Sequence, residues 1–185
     1  MKLIVLDRDG VINKESPDFI KSPDEWLPLK GSLQAIARLS QAGYDVVVIT
    51  NQSGIGRGHF TTSILSRINA RMIDHVEQHG GRIDSILFCP HHPKDNCDCR
   101  KPKPGLYQEL ASRLNISFND VLSVGDSVRD LMAAKSAGAK PVLVKTGNGR
   151  RSIKEIAGNP DLGLNDAPVF DNLSRFVDAL LKEEL

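Results

Sequence analysis

In the stretch Leu3-Ile4-Val5-Leu6-Asp7-Arg8-Asp9-Gly10, an unbroken apolar run ends in two carboxylates that flank one arginine. Four consecutive apolar residues without polar alternation are typical of a strand buried on both faces of a parallel sheet. Gly10 favours a turn directly after them. Asp7 and Asp9 lie where open α/β sheets bind ligands, and like charges this close raise one pKa or recruit a cation. The stretch therefore predicts a metal-assisted carboxylate site.

The rest of the chain alternates strand-like and helical patterns, which predicts βαβ units and a parallel sheet covered on both faces. The predicted strands span residues 3–6, 45–50, 83–88, 121–124 and 141–144. The predicted helices span residues 32–41, 62–79, 104–114, 127–137 and 172–182. Residues 160–168 are predicted to form a long loop, and no helix or strand is predicted between residues 147 and 168. We expect a single domain, 1–185, in which loops such as 11–29 cover the site and no large cap domain is present.

The amino-acid composition of the chain limits which kinds of molecule it is expected to bind. The chain has 185 residues, of which 40% are hydrophobic and 25% charged, as in soluble globular proteins. Its net charge of +1 gives no electrostatic reason to expect nucleic acid or a membrane surface. The four-residue apolar run near the N-terminus does not resemble a signal peptide, and no segment approaches the roughly 20 apolar residues of a membrane span. Three clustered cysteines suit metal binding in a reducing compartment, so we expect a cytoplasmic protein, with a monomer as the default.

Polar side chains follow three of the predicted strands and therefore meet at one edge of the sheet. Asp7 and Asp9 follow the first strand, the segment 50–53 follows the second, and the segment 125–127 follows the fourth. Arg100 and Lys101 precede the helix that leads into the fourth strand and can reach the same edge. Carboxylates with open positions suit Mg²⁺, whereas hydroxyl, lysine and backbone N–H groups suit a phosphoryl group.

These groups predict phosphate chemistry. A carboxylate that attacks a phosphate dianion is repelled by it, and Mg²⁺ bridging the two removes that penalty. A nucleophilic aspartate would form an acyl-phosphate and split hydrolysis into two easier steps. A second carboxylate nearby can protonate the leaving alkoxide and later deprotonate water.

In these motifs the chain resembles the phosphatases of the haloacid dehalogenase (HAD) superfamily, which implies a Rossmann-like three-layer α/β/α sandwich. The first motif matches Asp-Arg-Asp-Gly-Val, the second ends at Thr50, the third is Lys101, and the fourth is Gly125-Asp126 with Asp130. The resemblance implies that Asp7 is the nucleophile and Asp9 the general acid/base. It also implies that Mg²⁺ is held by Asp7, the backbone carbonyl of Asp9, and Asp126. Thr50 and Lys101 would hold the phosphoryl oxygens. Asp130 would support these residues without binding the metal itself.

A non-enzyme alternative is a phospho-acceptor receiver domain, which also combines carboxylates, Mg²⁺, a hydroxyl and a lysine on a doubly wound sheet. In a receiver the acceptor aspartate ends the third strand. Here the third predicted strand ends at Phe88-Cys89, so the receiver is disfavoured.

A second metal site is predicted in the loop 89–99, where three thiols and an imidazole can complete a tetrahedral Zn²⁺ shell. The predicted ligands are Cys89, His91, Cys97 and Cys99, and His92 is the competing imidazole. Four protein ligands leave no position for water, so this zinc would be structural. Because Arg100 and Lys101 follow the last ligand directly, the zinc is expected to fix where they point.

Within the superfamily, the strings at 7–13, 50–58, 89–93 and 97–105 resemble the D-glycero-D-manno-heptose-1,7-bisphosphate 7-phosphatase family. This resemblance implies hydrolysis of the C7 phosphate of a small sugar bisphosphate to the 1-phosphate, a step toward activated heptose for lipopolysaccharide, with either anomer open. The predicted substrate-binding residues are Arg8, Asn51, Gln52, Ser53, Arg100 and Ser127. Arg100 offers bidentate geometry for the second phosphate.

The chain departs from some members of that family at the segment 15–19, and at Ser127, where some carry lysine. A histidinol-phosphate phosphatase, which shares the motifs and the zinc loop, is the nearest alternative. Its cationic substrate would favour acidic groups near the site, and Glu15 and Asp18 keep it open. A nucleic-acid 3′-phosphatase is disfavoured because no basic stripe is visible.

Overall fold

The computed structural model describes residues 2–183 and is built around a parallel sheet with strand order β3-β2-β1-β4-β5-β6. The strands are β1 (Lys2–Leu6), β2 (Tyr44–Asn51), β3 (Ser85–Cys89), β4 (Leu122–Gly125), β5 (Lys140–Val144) and β6 (Val169–Phe170). Every neighbouring pair in this order is parallel. The five predicted strands are confirmed, with ends that differ by one or two residues.

Within residues 2–183, six α-helices cover the two faces of the sheet. They are α1 (Ser32–Gln41), α2 (Thr62–Gln78), α3 (Gly105–Leu114), α4 (Val128–Ser136), α5 (Gly149–Ala157) and α6 (Leu173–Leu181), with 3-10 turns at Pro23–Glu25, Pro93–Asp95 and Pro160–Leu162. Consecutive side chains of β1 point to opposite faces of the sheet. Ile4 packs in the core beneath α1, α2 and α6, whereas Val5 packs in the core beneath α3 and α4. The predicted three-layer α/β/α sandwich is confirmed.

Helix α5 and strand β6 are absent from the sequence-based prediction. In α5 the only large apolar side chains are Ile153 and Ile156, and the residue before the helix makes no side-chain cap. Its position depends on a tertiary contact, because the hydroxyl of buried Ser152 donates to the carbonyl of Asp126 at 2.9 Å. Strand β6 has two residues, too few for a period-2 pattern. The predicted loop 160–168 is otherwise open chain, with one 3-10 turn at Pro160–Leu162.

The position of β1 creates the site. It lies between β2 and β4, so the residues that follow these three strands meet at one edge. The connection from β1 to α1 crosses this edge as a loop with a single 3-10 turn and is held down by Ile20 and Trp26, which are both buried. Among residues 2–183, no helix combines the length and apolarity that crossing a membrane requires.

Candidate active site

Lys101 lies at the centre of the site and is 2% exposed. Its ammonium donates to Oδ1 of Asp7 at 2.9 Å and to the carbonyl of Ile49 at 2.8 Å, and it lies 2.5 Å from Oδ1 of Asp130. Oδ2 of Asp7 accepts no hydrogen bond from the residues that the structure describes. One oxygen of Asp7 is thus fixed by a cation, and the other is free to face a ligand.

Burial and neighbouring charges shift the pKa of each member of this group. Burial raises the pKa of Asp7 to about 7, against the opposing effect of Lys101 and with help from Asp130 and Asp9. Burial alone would lower the pKa of Lys101, but Asp130 and Asp7 outweigh it and hold the value above its usual range. Lys101 in turn outweighs the effect of burial on Asp130 and lowers that pKa. Lys101 and Asp130 are therefore charged at neutral pH, whereas Asp7 still lacks a full counter-charge.

Asp126 is the third buried carboxylate, and close backbone approach holds it in place. Burial, followed by the charges of Asp130 and Asp7, raises its pKa to about 9. Its Oδ2 accepts the backbone N–H of Asn148 at 2.7 Å. Gly10 (φ +84°) and Gly147 (φ +55°) flank the same oxygen, and a Cβ at either position would lie 2.1 Å from it. Only glycine satisfies both the backbone conformation and the space.

The carboxylate of Asp9 is oriented by three donors rather than by the lysine. It accepts hydrogen bonds from Arg8 (3.0 Å), Asn13 (2.9 Å) and Gln52 (2.8 Å). Arg8, predicted to bind substrate, is 1% exposed with its guanidinium on Asp9. Gln52 also donates to the hydroxyl of Thr50 at 3.0 Å, which connects Asp9 to the end of β2. Asp9 and Thr50 line the same cavity as Asp7, and hydrogen bonds from Arg8 and Gln52 hold them in place.

Other predicted substrate residues are also engaged within the protein. Asn51 exchanges two hydrogen bonds with the backbone of Lys101, both 3.1 Å long. Ser127 is the N-cap of α4 and forms a capping box with Asp130. Ser53 is buried and lines the cavity. The hydrogen bonds of Asn51 and Ser127 fix the positions of Lys101 and Asp130. The side chains of Asn51, Ser53 and Ser127 all line the cavity.

A cavity of about 290 Å³ opens above this floor. The exposed side chains of Arg57 and Arg129 line it together with half-buried Arg100. The Nη1 atom of Arg100 is buried and has no hydrogen-bond partner. The sequence analysis missed Arg57 and Arg129. Arg57 lies within the quoted string 50–58 and could have been found there, whereas Arg129 follows no motif residue directly.

The loop after β1 forms the opposite wall of the cavity. Phe19 adopts a left-handed conformation (φ +64°), and its ring lies 5.9 Å from the guanidinium of Arg57 and 4.9 Å from the ring of His59. Glu15 lines the cavity and accepts a hydrogen bond from the side chain of Asn148 at 2.6 Å. The loop thus contributes an aromatic ring and a carboxylate to the lining of the cavity.

The cysteine–histidine loop forms the predicted cluster. Ligand atoms of Cys89, His91, Cys97 and Cys99 all lie within 4.8 Å of one another. The Sγ atoms of Cys89 and Cys97 are 3.5 Å apart, too far for a disulfide, and Nδ1 of His91 lies 3.1 Å from Sγ of Cys99. The ring of His92 instead accepts the backbone N–H of Lys94 and caps the 3-10 turn. The geometry therefore favours His91 over His92.

The same loop packs against two other parts of the site. The N–H of Gly56 donates to the carbonyl of Pro90 at 2.8 Å, and a Cβ on Gly56 would lie 2.5 Å from the backbone nitrogen of His92. The N–H of Gly105 donates to the carbonyl of Asp98. The cysteine loop thus joins the segment that carries Arg57 to the start of α3, with Arg100 and Lys101 between them.

Both donor sets fit the metals that the sequence predicts. Carboxylate oxygens of Asp7, Asp126 and Asp130 lie within 4.8 Å of one another, and Lys101 neutralises only part of their charge. A hard divalent cation with oxygen ligands suits this group. Three thiols and one imidazole form the donor set of a closed structural zinc site.

The chain is similar to known proteins in sequence and in fold. Residues 98–172 match the HAD-hydrolase-like family model. The D-glycero-beta-D-manno-heptose-1,7-bisphosphate 7-phosphatase of Bordetella bronchiseptica is 50% identical over 183 residues, 99% of each chain. The enzyme of the same name from Neisseria meningitidis serogroup A is 48% identical over 184 residues, covering 99% of this chain and 96% of the relative.

A crystal structure of D,D-heptose 1,7-bisphosphate phosphatase from B. bronchiseptica, complexed with magnesium and phosphate, superposes with a TM-score of 0.93. It shares 50% identity and covers 99% of both chains. Identity at this level along the whole chain establishes common ancestry. The chain therefore belongs to the D-glycero-β-D-manno-heptose-1,7-bisphosphate 7-phosphatase family of HAD-like hydrolases.

Proposed function

We propose that this chain is a magnesium-dependent phosphatase that removes the C7 phosphate of D-glycero-β-D-manno-heptose 1,7-bisphosphate and leaves heptose 1-phosphate. The observation that carries the proposal is the pairing of Asp7 and Lys101 on the floor of a cavity whose rim holds Arg100 with an unpartnered, buried Nη1. The β anomer follows the names of the relatives. Three free thiols support a reducing, cytoplasmic location.

Asp7 and Asp9 carry out the two chemical steps of the proposed reaction. The free oxygen of Asp7 attacks phosphorus, the bond from phosphorus to the C7 oxygen breaks, and Asp9 gives a proton to that oxygen. A water molecule then attacks the phosphoaspartate, Asp9 takes a proton from it, and inorganic phosphate leaves Asp7. Thr50 and Lys101 hold phosphoryl oxygens throughout. Asp7, the Asp9 carbonyl and Asp126 would hold Mg²⁺, which neutralises charge between carboxylate and phosphate.

Several other residues act in this proposal by positioning the reacting groups. Arg8 and Asn13 fix the carboxylate of Asp9, and Asn51 fixes the backbone of Lys101. Asp130 keeps Lys101 charged, which agrees with a supporting role rather than with a role as metal ligand. We also propose that a structural zinc on Cys89, His91, Cys97 and Cys99 holds the peptide that carries Arg100.

The structure disfavours the histidinol-phosphate alternative. The cationic amine of that substrate would meet a rim with three arginines, Arg57, Arg100 and Arg129, whereas Glu15 is engaged by Asn148. Like charges in a partly buried cavity repel, and such repulsion excludes the wrong substrate.

The deciding experiment compares kcat/KM for the β and α anomers of heptose 1,7-bisphosphate and for histidinol phosphate, with Mg²⁺ present. Asp7→Asn measures any contaminating phosphatase. We expect the β-heptose bisphosphate to be preferred by at least about a hundredfold, equivalent to about 2.7 kcal/mol. Preference for histidinol phosphate would overturn the proposal.

A further inference from the structure

Asn148 occupies the N-cap position of α5 but does not cap the helix. Asparagine is among the residues most favoured at an N-cap, where its side-chain oxygen accepts a backbone N–H of the first turn. Asn172, at the same position of α6, does this by accepting the N–H of Arg175 at 3.0 Å. Asn148 instead has a helical backbone conformation (φ −82°, ψ −2°), and its side chain bonds elsewhere. Helix formation therefore does not explain why an asparagine stands at this position.

The side-chain amide of Asn148 joins two carboxylates from distant parts of the chain. Its Nδ2 lies 2.6 Å from Oε2 of Glu15 and 3.3 Å from Oδ2 of Asp126. A primary amide carries two N–H donors, so it can serve both carboxylates at once. The backbone N–H of Asn148 donates to the same oxygen of Asp126. Oδ1 of Asp126 accepts no hydrogen bond from residues 2–183, so one oxygen is held and the other is left to bind a cation.

Glu15 belongs to a loop segment, 15–19, that has few other anchors. Among residues 2–183, every other hydrogen bond of this segment is made to a residue between 16 and 21. Three of its five side chains are exposed, and Phe19 adds ring contacts with Arg57 and His59. Segments with few buried contacts are those that open most readily. Within the described residues, the hydrogen bond from Asn148 is therefore the polar contact that ties this segment to the floor of the site.

The backbone on which Asn148 lies is fixed by contacts that do not involve its side chain. The hydroxyl of Thr146 donates to the carbonyl of Gly10 at 2.6 Å. Gly147 packs so closely on Asp126 that a Cβ would lie 2.1 Å from Oδ2. Because these contacts hold the segment between β5 and α5, shortening the side chain of Asn148 should remove its two carboxylate contacts and leave the backbone in place.

We propose that Asn148 is a positioning residue that couples Mg²⁺ binding at Asp126 to the ordering of the loop segment 15–19 at the wall of the cavity. The inference rests on the proposed function in one respect, namely that Asp126 holds Mg²⁺. A cation on Asp126 fixes that carboxylate and, through it, the amide of Asn148. Less conformational entropy is then lost when Glu15 takes up its hydrogen bond. By linkage, the ordered loop strengthens cation binding by the same factor.

The test measures two quantities that do not depend on turnover, on the full chain with its zinc retained and no substrate. They are the Kd of Mg²⁺ by calorimetry and the rate of amide hydrogen exchange in residues 14–21, with and without Mg²⁺. In the wild type, Mg²⁺ should slow this exchange about fivefold or more. Asn148→Ala should raise the Kd about tenfold and abolish the slowing.

Asn172→Ala is the matched control, because it makes the same substitution at the same position of another helix. Asn172 is an N-cap that does cap its helix, so the variant should lower Tm and keep both the Kd of Mg²⁺ and the slowing of exchange. A merely structural role of Asn148 would give the pattern of this control, with a lower Tm and unchanged responses to Mg²⁺.

Two variants of Glu15 separate the hydrogen bond from simple attraction between charges. Glu15→Gln removes the charge but keeps an oxygen that can accept from Asn148, so Mg²⁺ should still slow exchange in residues 14–21. Glu15→Ala removes both and should lose the slowing. Because Glu15 is exposed, these variants should fold, and they decide the question even where Asn148→Ala does not fold.

A wild-type Kd in Asn148→Ala, or slowing by Mg²⁺ that persists in Asn148→Ala or Glu15→Ala, overturns the inference. Exchange that Mg²⁺ leaves unchanged in the wild type also overturns it. These outcomes leave the proposed function standing, because they do not touch the substrate preference. A preference for histidinol phosphate, by contrast, overturns the proposed function while the coupling through Asn148 can still be observed.

Discussion

The ammonium of Lys101 lies 2.9 Å from Oδ1 of Asp7, although 94 residues separate the two in the chain. The same ammonium lies 2.5 Å from Asp130, so one buried cation serves two buried carboxylates. The arrangement depends on the cation, because removing it would leave two buried carboxylates without a counter-charge. The groups proposed to act on phosphate are thus also groups on which the fold depends.

Lys101→Met should therefore damage both stability and activity. We expect a loss of about 3–5 kcal/mol in the free energy of unfolding, lessened if Asp7 takes up a proton, and a loss of about a hundredfold or more in kcat. Urea unfolding and Mg²⁺-dependent hydrolysis of p-nitrophenyl phosphate measure the two effects. Lys103→Met is the control, because Lys103 is a half-buried lysine in the same segment whose ammonium contacts Asn96 and Asp98 rather than Asp7 and Asp130. Wild-type kcat in Lys101→Met would contradict the placement of Lys101 at the reacting phosphate.

Asp7→Asn and Asp9→Asn should separate the two steps proposed for the first motif. Asp7→Asn should abolish turnover with every substrate and keep the fold, since it also removes repulsion from Asp130 and Asp9. Asp9→Asn should fail with a sugar phosphate, whose leaving alkoxide needs a proton, and should keep phosphoryl transfer from p-nitrophenyl phosphate. Mass spectrometry of the rapidly quenched protein would detect phosphate on Asp7. Turnover by Asp7→Asn would rule out the assigned nucleophile.

Gly147→Ala tests whether close backbone approach holds Asp126 in place. A Cβ there would lie 2.1 Å from Oδ2 of Asp126, so the carboxylate must move, and the apparent Mg²⁺ affinity should fall by about tenfold or more. Gly43→Ala is the matched control: Gly43 has φ +80° with nothing near its Cβ position. It should lose about 1 kcal/mol of stability and no activity. Equal Mg²⁺ titrations for the two variants would refute the role of Gly147.

The pH dependence of stability should have an unusual sign when Mg²⁺ is omitted. Burial raises the pKa of Asp7 to about 7 and that of Asp126 to about 9, whereas the unfolded chain titrates near 4. Between these values the folded state binds more protons, so the stability these two groups contribute is present at low pH and lost as pH rises. We expect the free energy of unfolding to fall by roughly 2 kcal/mol or more from pH 5 to pH 8.

Added Mg²⁺ should oppose that trend, because it binds the deprotonated carboxylates and stabilises the protein more at pH 8 than at pH 5. Asp126→Asn should flatten the pH dependence without Mg²⁺ and remove most of the stabilisation by Mg²⁺. Urea unfolding at both pH values, with and without MgCl₂, provides all of these numbers. Greater stability at pH 8 than at pH 5 in the absence of Mg²⁺ would contradict the assigned protonation states.

Loss of zinc should impair substrate binding without any zinc chemistry in the reaction. Cys99→Ser, or selective removal of zinc with Mg²⁺ kept in excess, should lower Tm and raise KM for the bisphosphate by about tenfold or more, because the peptide that carries Arg100 and Lys101 loses its anchor. Metal analysis and steady-state kinetics measure both. Lys94→Ala changes an exposed residue of the same loop and should leave zinc content and KM unchanged. Unchanged kcat/KM in zinc-free protein would defeat the hypothesis.

Local patterns in the amino-acid sequence were sufficient to predict the layers of the fold and the floor of the site. The buried run ending at Asp7, the capping box at Ser127 and the cysteine spacing are local patterns, and local sterics and hydrogen bonding fix what they form. The packing of distant segments, and no local pattern, places β1 between β2 and β4, holds the guanidinium of Arg8 on Asp9, and surrounds Asp126 with Asn148 and two glycines.

The arginine rim likewise depends on the tertiary structure. Arg57, Arg100 and Arg129 belong to three different segments of the chain, and the local sequence of each does not indicate that the others are near. Helix α5 was missed for the same reason, since Ser152 finds its partner at the carbonyl of Asp126, in another segment. Periodicity records which face of an element is buried, whereas the meeting of distant charges is set by how the elements pack, and no single segment encodes it.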